Sequence, residues 1–274
     1  MKEEKVKKVV RDRYAKVAKT SGSCCASPVS CCSAPTSEQV SKMIGYSEEE
    51  MNSVPGGANL GLGCGNPTAL ASIKEGETIL DLGSGAGFDC FLAAKKVGRQ
   101  GKVIGVDMTP EMLDKARSNA KRGRYTNVEF RLGEIENLPV ANNSVDVIIS
   151  NCVINLAPKK KRVFEEAFRV LAPGGRLMVS DIVLLKPLPE SVQKNMEAYA
   201  GCISGAEIKD RYLALIRKAG FKEVKVMEEK TYPVEYIISE DVLKESIDQL
   251  NLTKEELRET ADSIVSIKVS AIKE

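Results

Sequence analysis

Residues 78–108 read TILDLGSGAGFDCFLAAKKVGRQGKVIGVDM. Ile79-Leu80-Asp81-Leu82 is a short apolar run, as a strand buried on both faces of a parallel sheet requires. Gly83-Ser84-Gly85-Ala86-Gly87 then forces a tight turn whose backbone can approach a ligand, because no Cβ intervenes at alternate positions. Phe91, Leu92 and Ala94 continue at helical spacing towards Val97-Gly98, and Lys102–Val106 is the next buried strand, ending on Asp107. Strand, glycine turn, helix and strand open a doubly wound α/β sheet. In that topology the ligand lies beyond the carboxyl ends of the strands, and an acid closing the second strand can accept both hydroxyls of a ribose. Asp107 follows Gly85 by 22 residues, close to the spacing of about 20 that this role needs.

The glycines narrow the ligand. A dinucleotide fingerprint is G-x-G-x-x-G, and counted from Gly83 its sixth place is Phe88, so that pattern fails. Asp81-x-Gly83-x-Gly85-x-Gly87 instead resembles the first motif of class I S-adenosylmethionine-dependent methyltransferases. The resemblance implies a Rossmann-like domain with S-adenosyl-L-methionine as cofactor. It would be held by Asp81, Gly83, Ser84, Gly85 and Gly87, with Asp107 and Met108 at the next strand end. The downstream pattern keeps the alternation. Thr109-Pro110-Glu111 starts a helix. Val128–Leu132 and Ser144–Ser150 read as strands three and four, residues 159–171 as a helix, and the phrase LAPGGRLMVSD as the approach to a fifth strand over Arg176–Asp181. In class I methyltransferases the turn after the third strand lies against the adenine, which puts Glu134 and Ile135 there by resemblance. Asn151 and Cys152, at the carboxyl end of strand four, face the crevice by the topological rule.

Composition sets the outer bounds. The 274 residues are 43% hydrophobic and 28% charged, enough for one large or two small globular domains. A net charge of +2 gives no field that would attract nucleic acid or a membrane. The apolar runs are too short to span a bilayer, and MKEEKVKKVVRDRY has no apolar core of a secretory signal, so a cytoplasmic location is expected. The eight cysteines of such a chain read as chemical rather than structural. There is no histidine, which removes imidazole general bases, Ser-His and Cys-His pairs and histidine metal sites.

Residues 2–19 suit a helix with Val6, Val9, Val10, Tyr14 and Val17 on one stripe. The Ser-, Pro- and Cys-rich segment that follows carries Cys24-Cys25 and Cys31-Cys32. These pairs suit redox-active thiols or an auxiliary trap for a soft metalloid; their spacing is wrong for a zinc knuckle. Ser47 and Glu50 form a capping box. Residues 54–67, VPGGANLGLGCGNP, make a glycine-rich loop that exposes its backbone, with Cys64 between Gly63 and Gly65. Beyond Ile182 the pattern changes to helices over 190–200 and 206–219, with Cys202 between Gly201 and Gly205. Strands over Lys222–Thr231 and Ile264–Ile272 and helices over Ser239–Leu250 and Thr253–Ser263 complete a smaller α+β part, expected to lid the donor site and build a small sheet of its own. The expected organisation is an N-terminal helix and Cys-rich arm (1–45), a donor-binding domain (46–183) and a C-terminal lid (184–274).

Cys64, Cys152 and Cys202 thus lie on loops or strand ends able to face one crevice, whereas Cys90 sits on a helix beside Phe91 and reads as core. Three converging thiolates make a soft trigonal site, and soft sulfur selects soft acceptors such as trivalent arsenic. The lone pair of arsenic is a nucleophile that loses no proton on methylation, which fits a chain without histidine. Here the likeness becomes specific. YSEEEMNSVPGGANLGLGCGNP, ILDLGSGAGFDCFLAA, SNCVINL, AGCISGA and the vicinal Cys24-Cys25 resemble the arsenite S-adenosylmethionine methyltransferases. That resemblance implies arsenic bound by Cys64, Cys152 and Cys202. It implies a further N-terminal cysteine, among Cys24, Cys25, Cys31 and Cys32, that joins disulfide exchange. It also implies arsenite or its thiol conjugates as substrate and a thiol reductant, thioredoxin or glutathione, as co-substrate. Antimonite fits the same trigonal site. Two rival readings stand beside it: a C-methyltransferase acting on a quinone or sterol, and a non-catalytic metalloid-binding protein.

Overall fold

The structure, a computed structural model, describes residues 3–20, 36–189, 204–231 and 259–274. Helix α1 (Glu3–Thr20) comes first, then the short helices α2 (Ser37–Met43), α3 (Glu48–Asn52) and α4 (Pro67–Leu70). The wound unit follows as β1 (Thr78–Leu82), α5 (Phe88–Val97), β2 (Lys102–Asp107), α6 (Pro110–Arg122), β3 (Val128–Leu132) and β4 (Val145–Asn151). A 3-10 turn (Ile154–Leu156) leads to α7 (Lys160–Val170) and β5 (Leu171–Leu184). The chain continues through β6 (Glu207–Ile208), α8 (Lys209–Lys218), β7 (Lys222–Thr231) and β8 (Ile264–Ile272). Local chemistry sets the helix starts. Thr36 and Ser47 each close a full capping box, with Gln39 and with Glu50. Asn66 caps α4 ahead of Pro67.

One sheet organises everything, in the order β3-β2-β1-β4-β5-β8-β7, with β6 pairing β5. Strands β3 to β5 of that order are parallel, β8 is antiparallel to β5, and β7 is antiparallel to β8. The expected separate C-terminal sheet is therefore corrected: these strands extend the central one. The reason lies in β5. It runs from Leu171 to Leu184, longer than the expected Arg176–Asp181, and its outer edge needs a partner. Strand β8 supplies it in continuous register from Arg176↔Ile272 to Leu184↔Ile264. The segment expected to be helical over 206–219 opens as β6 and turns helical at Lys209. The expected helices over 190–200 and 239–250 lie outside the described residues.

Apolar side chains fill both faces of the sheet. Ile79, Phe91, Val103, Leu113 and Ile149 pack under α5 and α6, while Leu80, Ile148, Phe164, Tyr212 and Val269 pack under α7 and α8. A smaller cluster joins Val6 and Val10 of α1 to Cys64, Cys152, Leu156 and Ile182. Helix α1 is thereby drawn over the carboxyl ends of the strands. Among the described residues, no helix is long and apolar enough to cross a membrane.

The loop between β3 and β4 is fixed by one buried acid. Glu166 of α7 accepts the Leu138 N–H at 2.8 Å and is bracketed by Arg162 at 2.9 Å and Arg169 at 2.7 Å. Arg169 also donates to the carbonyls of Leu138 and Val140. Replacing Glu166 by Ala leaves the Leu138 N–H buried without a partner, so we expect a loss of about 2 kcal/mol. The measurement is the urea midpoint; an unchanged midpoint would show that the loop does not depend on this acid.

Candidate active site

The carboxyl ends of β1, β2 and β4 surround a cavity enclosing about 1060 Å³, open mouth included. The glycine turn forms its floor. Gly85 has φ +51° and nothing within 4 Å of the place a Cβ would occupy, so the backbone itself faces the open space. Gly83 is glycine for the opposite reason: a Cβ there would lie 2.4 Å from Val153 Cγ2. Gly87 lies outside the lining and starts α5 at φ +93°, where a Cβ would meet the rings of Phe130 and Phe91. Ser84 lines the cavity, and its buried hydroxyl has no hydrogen-bond partner among the described residues.

Buried acids stand out in a largely apolar wall. Asp81, Asp89 and Asp107 all line the cavity. Asp107 receives the Gly85 N–H at 2.9 Å on one oxygen and the Thr109 N–H at 2.8 Å on the other. Burial pushes its carboxyl up, with the backbone donors opposing. Asp81 is pushed well above the usual carboxylate range by burial and by the charge of Asp89, although Cys90 Sγ donates to it at 3.2 Å. Burial likewise raises Asp89 to about 6, against hydrogen bonds from Tyr46 and Asn151. Among the described lining residues Lys7 is the one cation, and its Nζ is held by Glu134 at 2.7 Å and Glu136 at 3.3 Å. Three crowded carboxyls without a matching cation make a cavity that favours a positively charged ligand.

On the side of the cavity nearest α1 the thiols come together. Cys64 Sγ, Cys152 Sγ and a carboxylate oxygen of Asp181 all lie within 4.8 Å of one another, and all three residues are buried. Cys152 follows directly on β4 and sits in the left-handed region at φ +58°, with its N–H on the Ser180 carbonyl at 2.8 Å. Cys64 is held through its backbone. Its N–H donates to Asn151 Oδ1 at 2.9 Å, and its carbonyl accepts from Ser266 Oγ at 2.7 Å. The flanking glycines permit this approach. A Cβ on Gly63 would lie 2.5 Å from Asn151 Nδ2, and one on Gly65 would lie 2.6 Å from Ser180 Oγ. Asn151 Nδ2 donates to the Gly65 carbonyl at 2.8 Å, to Tyr46 Oη at 2.9 Å and towards Asp89 at 3.2 Å. Tyr46 in turn donates to Asp89 at 2.7 Å. One amide thus ties the thiol loop to the wall of the cavity.

The residues expected from sequence are distributed as follows. Asp81, Gly83, Ser84, Gly85, Asp107, Met108, Ile135, Asn151 and Cys152 line the cavity; Glu134 is turned to Lys7, and Glu136 lines the wall beside Ile135. Cys64 meets Cys152 and borders a second, smaller cavity on the β7–β8 side. Cys90 is buried against Asp81, as expected for core. Cys24, Cys25, Cys31, Cys32 and Cys202 lie outside the described residues. Sequence reasoning gave no role to Tyr46, Asp89 or Asp181. The available signal was positional: Asp89 is an acid in the otherwise apolar start of α5, and Asp181 interrupts an apolar strand at its inner half. Burial raises Asp181 to about 7, opposed by the Ile182 N–H and the Tyr212 hydroxyl.

Known proteins resemble this chain. A methyltransferase-domain family model matches residues 73–220, more than half of the chain. A protein of Halobacterium salinarum named arsenite methyltransferase is 51% identical over 230 residues, which is 81% of this chain and 59% of that protein. The human protein of the same name is 39% identical over 168 residues, 58% of this chain and 44% of its own. Across such curated relatives the chain spans 44–59% of their length. The solved structure of an arsenic(III) S-adenosylmethionine methyltransferase from Chlamydomonas reinhardtii is 34% identical, with a TM-score of 0.64, and the match covers 88% of this chain and 75% of that one. A chain that shares the fold of that structure, is 34% identical to it and spans three quarters of its length belongs to the arsenite methyltransferase family of S-adenosylmethionine-dependent methyltransferases.

Proposed function

We propose that the protein transfers methyl groups from S-adenosylmethionine to trivalent arsenic held by the thiolates of Cys64, Cys152 and Cys202, a reaction that serves arsenic detoxification. The observation that carries this reading is the meeting of Cys64 and Cys152, 88 residues apart in sequence, beside a cavity whose wall carries Asp81, Asp89 and Asp107. The cavity's residues fit the donor. Gly85 leaves room for a close approach, the orphaned hydroxyl of Ser84 asks for a partner, and Asp107 stands where a ribose would be read. S-adenosylmethionine supplies an electrophilic methyl group and, with it, the positive charge that Asp81, Asp89 and Asp107 lack.

The chain's residues divide the remaining work. The thiolates hold arsenic with its lone pair free, so methyl transfer at arsenic needs no proton removed and no general base. Asn151 fixes the Cys64 loop against Tyr46 and Asp89, which holds the acceptor side in register with the donor side. Methyl transfer raises arsenic formally from the trivalent to the pentavalent state. Two electrons from a pair of protein thiols return it to the trivalent state, and the disulfide so formed is reduced by a thioredoxin- or glutathione-like thiol. Cys24, Cys25, Cys31 and Cys32 are the candidate partners in that exchange. Arsenite enters this cycle as the free oxyacid or as its thiol conjugate.

Three outcomes test this reading. Cys152→Ser is expected to cut arsenite methylation to below about a hundredth of wild type while S-adenosylhomocysteine still binds, since the lost thiolate orients the acceptor; turnover near wild type would remove Cys152 from the site. Asp107→Ala is expected to weaken S-adenosylmethionine binding about tenfold or more, through the loss of hydrogen bonds to a charged acceptor, with arsenite affinity retained. Isothermal titration separates the two constants, and an unchanged donor affinity refutes the role. Protons compete with a cationic donor for Asp89, whose carboxyl titrates at about 6 in the free protein. Donor affinity should therefore be level above that pH and fall as the pH drops through it. A profile flat between pH 7 and pH 5 contradicts the charge argument.

A further inference from the structure

Among the described residues, the third donor beside the two thiols is an oxygen. Asp181 is wholly buried, and one of its oxygens lies within 4.8 Å of both Cys64 Sγ and Cys152 Sγ. It is held in place from three sides. Asn155 Nδ2 donates to Oδ1 at 2.8 Å, the Ile182 N–H donates to the same oxygen at 2.9 Å, and the Tyr212 hydroxyl donates to Oδ2 at 3.0 Å. An oriented carboxylate whose outer hydrogen bonds are already made is how metal-ligating acids are commonly supported. Cys152 is equally constrained, by its positive φ and its bond to Ser180, and Cys64 by Asn151 and Ser266.

Trivalent arsenic has no use for this oxygen, because it prefers a purely thiolate set. A borderline divalent cation does, since zinc takes thiolate sulfur and carboxylate oxygen together in a tetrahedral site. Such an ion would pull the three donors inward to ordinary bond lengths of about 2.3 Å to sulfur and about 2.0 Å to oxygen. Among the described residues no fourth protein donor joins them, which leaves a vertex for water or for a further ligand. Two routes lead in: Cys152 borders the main cavity, and Cys64 borders the smaller one lined by Glu228, Lys230 and Lys268.

We propose that Cys64, Cys152 and Asp181 form a zinc site, at which Zn²⁺ competes with arsenite for the two thiols. Zinc binding releases the thiol protons and holds both sulfurs as thiolates, so the site is closed to arsenite until the ion leaves. The competition rests on the arsenic reading given above; the zinc site itself does not.

The experiment uses the full chain carrying Cys24→Ser, Cys25→Ser, Cys31→Ser and Cys32→Ser, so that N-terminal thiols do not contribute. Zn²⁺ alone is titrated against a chromophoric chelator. The expected result is one ion per chain, lost in Cys152→Ser. In Asp181→Asn, zinc affinity should fall at least about tenfold further than arsenite affinity. Equal zinc affinity in Asp181→Asn and its parent overturns the proposal, because thiols alone then hold the ion. A parallel fall in both affinities also overturns it, because Asp181 is then only structural. X-ray absorption at the zinc edge of the parent carrying also Cys202→Ser needs no Asp181 variant: two sulfurs and two light atoms support the site, and three or more sulfurs refute it. Failure of the arsenic reading is a separate result, seen as an absence of arsenite binding while zinc still binds.

Discussion

The side-chain amide of Asn151 is the constraint on which the site depends. Its oxygen takes the N–H of Cys64 and its nitrogen gives to the carbonyl of Gly65, so the amide brackets the cysteine on both sides in the chain. That grip brings residues 63–65 so close to β4 and β5 that a Cβ on Gly63 would run into Asn151 and one on Gly65 into Ser180. Because Asn151 is the last residue of β4, the loop inherits the rigidity of the central sheet. The next residue is Cys152, turned by its left-handed backbone towards the same space. Two thiols distant in sequence are therefore set by one strand end, and their separation is a property of the fold rather than of a surface loop.

Charge explains the other half. A buried carboxyl resists ionisation, and three of the four that line the cavity, Asp81, Asp89 and Asp107, are pushed up by burial. This costs stability in the empty protein, and a cation is what relieves it. Tyr46 and Asn151 both donate to Asp89, so the acid wall and the thiol loop share hydrogen bonds as well as a boundary. On the proposed reading, a positively charged donor on one side tightens the groups that hold the acceptor on the other. Helix α1 closes the arrangement through Val6 and Val10 in the thiol cluster and Lys7 on Glu134 and Glu136.

The doubly wound sheet was readable because its signal is local. The apolar runs of β1 and β4, the glycines of the turn and Asp107 at the end of β2 each follow from neighbouring residues and strand geometry. The meeting of Cys64 with Cys152 was also foreseeable, since a glycine-flanked loop and a strand end have few places to go. What sequence hid is non-local. Pairing of β8 with β5 depends on which edge is left open, and alternation alone cannot name a strand's partner, so a separate sheet was expected. Asp181 and Asp89 looked like ordinary residues of a strand and a helix; their importance arises from burial beside groups far away in the chain. Glu134 fitted the family's pattern, yet Lys7 draws it aside, and only the packing of α1 decides that.

Arsenic K-edge X-ray absorption of the protein with arsenite and S-adenosylhomocysteine decides whether the thiols gather on arsenic. A first shell of three sulfurs and no oxygen is expected, reduced to two sulfurs when Cys64 is replaced by Ser. A shell that keeps oxygen in the wild-type protein, or one unchanged by loss of Cys64, would contradict that expectation.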